Sequence, residues 1–174
     1  YTLKDVFYLG ATHEYPHGTY GSANIEGNIP IDISAYVDPI AKGRTKGQGL
    51  AVYRVHCQLA GSASGTPQLP SDTGAAAFGL TVKPYATSGD NSGALETGDL
   101  TVDSDLAIWL GNYTSFGSCP STVSGMVNEV LAPSKEVPYV CVRDTIFQIF
   151  QTGIAMSSAD SMFVSYRMEC AMIT

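Results

Sequence analysis

Apolar and polar side chains alternate along three segments of this chain, and that alternation limits the fold more than any other feature. The segments are residues 50–59, 78–82 and 162–172. In the first of them every second residue is apolar, namely Ala51, Tyr53, Val55, Cys57 and Leu59. Side chains of a strand point alternately to its two faces, whereas a helix repeats about every 3.6 residues. Each segment is therefore predicted to be a strand with one buried face.

Helical spacing of apolar residues extends over no more than about two turns anywhere in the chain. Weaker strand patterns cover residues 3–11, 29–36, 100–102, 106–113, 137–142 and 145–151. Stretches rich in Gly, Ser, Thr and Pro predict long loops at residues 14–28, 61–74, 87–98 and 115–125. We predict an all-β fold with little helix: a single antiparallel β-sandwich of jelly-roll or Greek-key type, with about eight strands, spanning residues 1–174 as one domain.

The charge content is unusually low, since only 14% of the 174 residues are Asp, Glu, Lys or Arg. A low-charge surface favours contact with neighbouring copies of the chain. Nine basic residues against sixteen acidic ones give a net charge of −7, which argues against sequence-specific nucleic-acid binding. No apolar run is long enough for a transmembrane segment. These features predict a self-associating protein.

The sequence patterns of common catalytic and metal sites are missing. The chain has three histidines and no GxSxG motif. His56 and Cys57 are neighbours on a predicted strand, so their side chains point to opposite faces and do not act together. His13 and His17 flank a proline in a predicted loop, where no third metal ligand is evident. We predict no enzymatic activity, no cofactor and no metal.

The four cysteines contain no CxxC pair. They are Cys57, Cys119, Cys141 and Cys170. Three of them fall in strand-like segments, where a buried free thiol is the simplest interpretation. Disulfides are the alternative, because small extracellular proteins with long loops use them.

Several residues that are predicted to face solvent are candidates for contact with other molecules. Lys42, Arg44 and Lys46 form the densest positive cluster, which could meet a neighbour's acidic loop or a polyanion inside a virion, or could simply belong to a loop. Arg54 and His56 lie on the polar face of a predicted strand. These five residues are predicted interface residues.

Tyrosine is frequent, with ten residues in the chain. It suits surfaces that become half-buried on contact and also sugar-binding faces, because it combines area with a hydroxyl group. Tyr113 is the tyrosine predicted to lie in an interface. It belongs to the triplet Asn112-Tyr113-Thr114, which makes Asn112 a candidate for N-glycosylation.

The size, the strand count and two segments carry a resemblance to a known family. Residues 32–43 (DISAYVDPIAKG) read as a strand ending in a turn before the strand at residue 50, and residues 162–173 form an apolar closing strand. This layout resembles the single jelly-roll capsid proteins of icosahedral DNA viruses of bacteria and archaea. The resemblance implies a shell subunit with many identical contacts. Many capsid proteins carry a basic terminal arm, and the resemblance departs from the family at this point because no such arm is present. A shell that rests on lipid rather than on the genome needs no such arm.

The combined prediction is a structural, self-assembling protein of a viral shell, located in the virion. Its partners would be copies of itself and other virion or surface proteins. One alternative is an extracellular filament or surface-layer subunit at the cell surface, assembled by strand donation. A second alternative is a carbohydrate-binding β-sandwich module.

Overall fold

The computed structural model describes residues 6–15, 26–38, 47–60, 75–82, 102–119, 122–154 and 162–173. Within these ranges the chain forms nine strands and no helix, so none of the described segments is a helix able to cross a membrane. The strands are β1 (Phe7–Tyr15), β2 (Glu26–Asp32), β3 (Gly49–Ala60), β4 (Ala75–Thr81), β5 (Ala107–Cys119), β6 (Thr122–Leu131), β7 (Tyr139–Cys141), β8 (Thr145–Ile154) and β9 (Met162–Ile173).

The strands form two antiparallel sheets, one of four strands in the order β1-β9-β3-β7 and one of five in the order β2-β8-β4-β5-β6. With β6 set aside, the other eight strands renumber in chain order to 1-8-3-6 and 2-7-4-5. This is the strand order of a jelly roll, in which all successive strands of the eight except β4 and β5 lie in different sheets. The all-β jelly-roll prediction is confirmed, and β6 is an addition to it.

The core lies between the two sheets. Phe78 on β4 and Phe150 on β8 are fully buried in one sheet, and they face Val164 and Met168 on β9 in the other. Burying a side chain of this size stabilises the fold by about 1.5–3 kcal/mol relative to leaving it exposed. Alternation places these residues on the inner faces, as the sequence pattern predicts for β4 and β9.

Trp109 on β5 connects the two sheets. Its ring lies edge-on to Tyr166 of β9 with centroids 5.6 Å apart, and tilted against Phe78 at 5.7 Å. The same ring covers Gly111, where an added Cβ would approach the Cη2 atom of the indole to 2.4 Å. A glycine is needed at this position because the indole occupies the volume that a side chain would fill.

A β-bulge in β3 changes the predicted faces of its first half. The register with β9 shifts between Val52 and Arg54, so the alternation of β3 restarts there. Leu50 and Val52 therefore belong to the core, and Ala51 and Tyr53 lie on the outer side of the sheet. The prediction that Ala51 and Tyr53 share a face with Val55 is wrong, whereas Val55 and Leu59 do enter the core.

Other strand boundaries differ from the prediction because local pairing outweighs composition. Residues 115–125, predicted as a loop, instead contain the end of β5 and the start of β6, which pair as a hairpin. β2 ends at Asp32, whose Oδ1 accepts a hydrogen bond of 2.8 Å from the backbone N–H of Ser34 and begins a turn. The loops predicted at 61–74 and 87–98 lie outside the described residues.

Candidate functional site

Strand β6 is the edge of the five-stranded sheet, and its described side chains are exposed on both faces. Residues 126 to 130 are all exposed, although three of them are the apolar residues Met126, Val127 and Val130. Met126 has 51% of its surface exposed. The strand is held to the sheet through pairing with β5. It therefore presents apolar side chains that the described part of the chain does not cover.

Strand β7 is the edge of the four-stranded sheet on the same side of the sandwich. The opposite edges, β1 and β2, are joined by Phe7 stacking at 5.0 Å on Tyr36, which follows β2. The residues around β7 are also exposed, with Val137 at 74%, and they include the charged residues Lys135, Glu136, Arg143 and Asp144. We call this surface the β6–β7 side; its residues are Met126, Val127, Val130, Val137, Val140 and Val142.

One contact fixes β6 to the core. The indole N–H of Trp109 donates a hydrogen bond of 2.7 Å to Oε2 of Glu129 on β6. Trp109 is buried, so its N–H needs a partner, and the carboxylate supplies one from the surface. Glu129 is the one charged residue within β6, and this bond orients it toward the core rather than toward a neighbour.

A polar cluster lies on the outer face of the four-stranded sheet. Glu169 on β9 accepts a hydrogen bond of 3.3 Å from the Tyr8 hydroxyl and lies 3.6 Å from Nε of Arg54 and 3.8 Å from Nε2 of His56. The Arg167 guanidinium stacks over the Tyr8 ring at 4.1 Å. Exposed ion pairs of this kind contribute about 0–1 kcal/mol to stability, so the cluster shapes the surface more than it holds the fold.

An apolar groove of 470 Å³ lies beside this cluster on the same face. Its floor is formed by Ala51, Tyr53 and Ala171, and its rim by Lys135, Glu136 and other residues. Burial, followed by the nearby Glu169 carboxylate, raises the pKa of Tyr53. Val140 belongs both to the groove and to the β6–β7 side, so the two surfaces are continuous.

The predicted interface residues have different outcomes. Arg54 and His56 are exposed on the outer face, where they remain candidates. Tyr113 is 1% exposed and belongs to the core, so its predicted place in an interface is wrong. On β5 the face that points into the core includes Tyr113 as well as Trp109. Apolar and polar residues are mixed along this strand, so the sequence does not show which residues share that face.

The remaining sequence candidates are placed only in part. Asn112 is exposed on β5, and its glycosylation stays a prediction. Lys42, Arg44 and Lys46 lie outside the described residues, as does His17. His13 lies on β1 rather than in a loop. Among the described residues no group of three or more His, Cys, Asp or Glu side chains could hold a metal ion.

Three cysteines are free thiols and lie in or against the core. Burial raises the pKa of each of them to about 12. They are Cys57, Cys141 and Cys170. For these three, the buried-thiol interpretation of the sequence is confirmed, while the side chain of Cys119 lies outside the described part of the structure.

Comparison with known proteins adds little to this geometry. No family model matches the chain, and no curated protein matches it. One similar solved structure is Merkel cell polyomavirus VP1 in complex with GD1a oligosaccharide, at 9% sequence identity and a TM-score of 0.38, over 97% of this chain and 96% of that chain. This neighbour is a polyomavirus capsid protein, and it does not support the narrower resemblance to viruses of bacteria and archaea. The TM-score is too low to support a functional argument, so the jelly-roll assignment rests on the strand order.

Proposed function

We propose that this protein is a structural subunit that assembles with copies of itself into the shell of a virion. The observation that supports this most directly is the β6–β7 side, where six apolar residues on or beside two sheet edges are exposed. Soluble monomers rarely expose large continuous apolar patches, because water contact with such surface is unfavourable. Covering this side with a neighbour removes that cost.

Electrostatics restrict where copies of the chain can meet. Each copy has a net charge of −7, so two copies repel one another over most orientations. The repulsion is weakest where a surface carries little net charge; β6 has one charged residue, and the four beside β7 balance, with Lys135 and Arg143 against Glu136 and Asp144. The low overall charge content, 14% of residues, also fits a surface that is largely covered after assembly.

The proposal is tested by measuring particle size for the wild type and for charge-introducing variants. We expect wild-type protein to form large particles in light scattering and closed shells in negative-stain micrographs. Val130→Lys and Val140→Lys should reduce assembly, because each places a desolvated charge in the contact. Val6→Lys is the matched control, because Val6 is 42% exposed and precedes β1 at the opposite edge of the sandwich.

A wild-type protein that remains monomeric at high concentration would contradict the proposal. Equal effects of the three lysine variants would show that the β6–β7 side has no special role in assembly. Circular dichroism on each variant shows whether the sandwich is still folded, which separates loss of assembly from loss of fold.

An extracellular filament or surface-layer subunit is the second candidate, because the exposed edge of β6 would also accept a strand donated by a neighbour. Filaments or flat lattices in the micrographs would favour this candidate over a closed shell. Binding of a stable monomer to a glycan array would instead favour the carbohydrate-binding alternative.

A further inference from the structure

We propose that β6 pairs edge to edge, in antiparallel orientation, with β6 of a second copy of this chain. The pairing would join two five-stranded sheets into one continuous sheet across a two-fold axis. This inference rests on the proposed function and deepens it, because it names the element through which two subunits first meet.

The four sheet edges of the described structure differ in how they are protected against such pairing. Exposed edges are usually shortened, interrupted by proline or marked by charges, which prevents unwanted strand addition. β7 has only three residues, β2 contains Pro30, and β1 carries His13 and Glu14. Each of these edges therefore has at least one protective feature.

Strand β6 is neither short nor interrupted by proline, although its pairing with β5 has a bulge at Val130. It is ten residues long with the sequence TVSGMVNEVL, which contains neither proline nor lysine. Its single carboxylate, Glu129, accepts the Trp109 N–H instead of repelling a neighbouring strand. Three valines favour extended backbone. This composition is typical of a strand that is paired on both edges.

The area available on this side is smaller than a standard interface. The ten residues of β6, at about 3.3 Å each, give a strip roughly 33 Å long, whereas the three residues of β7 give roughly 10 Å. With about 10 Å of width for each sheet, the area is on the order of 400 Å² per copy, about half of the roughly 800 Å² per partner of a standard interface. The main-chain hydrogen bonds of an added strand would therefore supply much of the affinity.

Symmetry makes a second copy the simplest occupant of this edge. An isologous contact uses the same surface twice, so both unprotected edges are covered in a single step. Because β6 presents few charges, its approach to an identical strand is opposed less than any approach through the charged faces of a −7 protein.

A cysteine scan along β6 tests the pairing. Single variants Met126→Cys, Val127→Cys, Asn128→Cys and Val130→Cys are made in a Cys119→Ser background and oxidised mildly after assembly. Residues facing each other across antiparallel strands have Cα atoms about 4.5–5.5 Å apart, within reach of a disulfide. Around a two-fold axis only the residues nearest the axis meet their own copies.

We expect one or two neighbouring positions of β6 to give covalent dimers on non-reducing gels, with yield falling on either side. Val6→Cys, at the opposite edge of the sandwich, should give none. Particles that assemble normally while no β6 position forms a covalent dimer would overturn the pairing and leave the proposed function standing. A wild type that forms no particles would contradict the proposed function itself.

Proline variants provide a second, independent measurement. Neighbouring residues of a strand direct their N–H groups to opposite edges, so one of Met126→Pro and Val127→Pro removes a bond to β5 and the other removes an outward N–H. The variant that keeps the folded spectrum should fail to assemble. Normal assembly of that folded variant would also overturn the pairing.

Discussion

The hydrogen bond between Glu129 and Trp109 should contribute measurably to stability, since it fixes β6 to the core. Glu129→Ala removes the acceptor at 2.7 Å and leaves the buried indole N–H without its partner. Leaving a buried donor unsatisfied costs about 1–3 kcal/mol. For a chain of 174 residues this corresponds to a fall in Tm of roughly 2–12 °C. Glu129→Gln keeps an acceptor oxygen and should recover most of the loss.

The chain contains one tryptophan, so selectively excited indole fluorescence reports on the surroundings of Trp109. Urea unfolding followed by Trp109 emission gives the free energy of unfolding of each variant. The measurements belong in an assembly-deficient background such as Val140→Lys, because association would stabilise the folded subunit by mass action. Glu136→Ala, which removes another exposed carboxylate between β6 and β7, is the matched control. It should change the free energy of unfolding by less than about 0.5 kcal/mol.

A double-mutant cycle separates the hydrogen bond from other effects of the substitution. In a Trp109→Phe background, followed by circular dichroism, Glu129→Ala should cost close to nothing because the donor is already gone. If Glu129→Ala is equally costly in both backgrounds, or if Glu129→Gln destabilises as much as Glu129→Ala, the assigned role of the bond is wrong.

Four further predictions follow from the core and its titrating groups. Gly111→Ala should destabilise by about 1–3 kcal/mol in urea unfolding, because its Cβ would overlap the Trp109 ring; a neutral result would contradict the close packing. Gln148 is fully buried, and neither its side-chain oxygen nor its side-chain nitrogen has a hydrogen-bond partner in the described structure. Gln148→Leu should therefore raise the Tm, and a lower Tm would show that the side chain does have a partner. Burial lowers the pKa of His13 below 6.5, so folding disfavours protonation of its imidazole. The free energy of unfolding should therefore not depend on this group above pH 6.5 and should fall as the pH drops below that value. This loss should be absent in His13→Asn when urea unfolding is measured across pH. Cys57, Cys141 and Cys170 each have a pKa of about 12, so at pH 8 roughly one thiol in ten thousand is ionised at each position. Mass spectrometry should therefore find little alkylation of these residues in the folded protein and rapid alkylation in urea.

The fold could be predicted from sequence where a strand has one face in the core. β9 alternates from Val164 to Cys170 because Val164, Tyr166, Met168 and Cys170 all point between the sheets, whereas Met172, predicted to share their face, is 49% exposed. β3 alternates as well, but its bulge inverts the faces on either side of Tyr53, and a bulge leaves no mark on a pattern of apolar residues. Tyr113 was assigned to a surface on composition, although its neighbours on β5 place it in the core.

The candidate site was harder to predict, and the reason lies in what alternation measures. A period of two appears when one face of a strand is buried by its own chain and the other meets water. Residues 126 to 130 of β6 are exposed on both faces, so they follow no such period; the sequence predicts a loop over residues 115–125, which include the start of β6, and no strand over residues 126–131. A strand that a partner covers is selected for exposed apolar residues, few charges and an open edge rather than for alternation. The same property therefore explains why apolar periodicity does not detect β6 and why we propose β6 as the edge that pairs with a second copy of the chain.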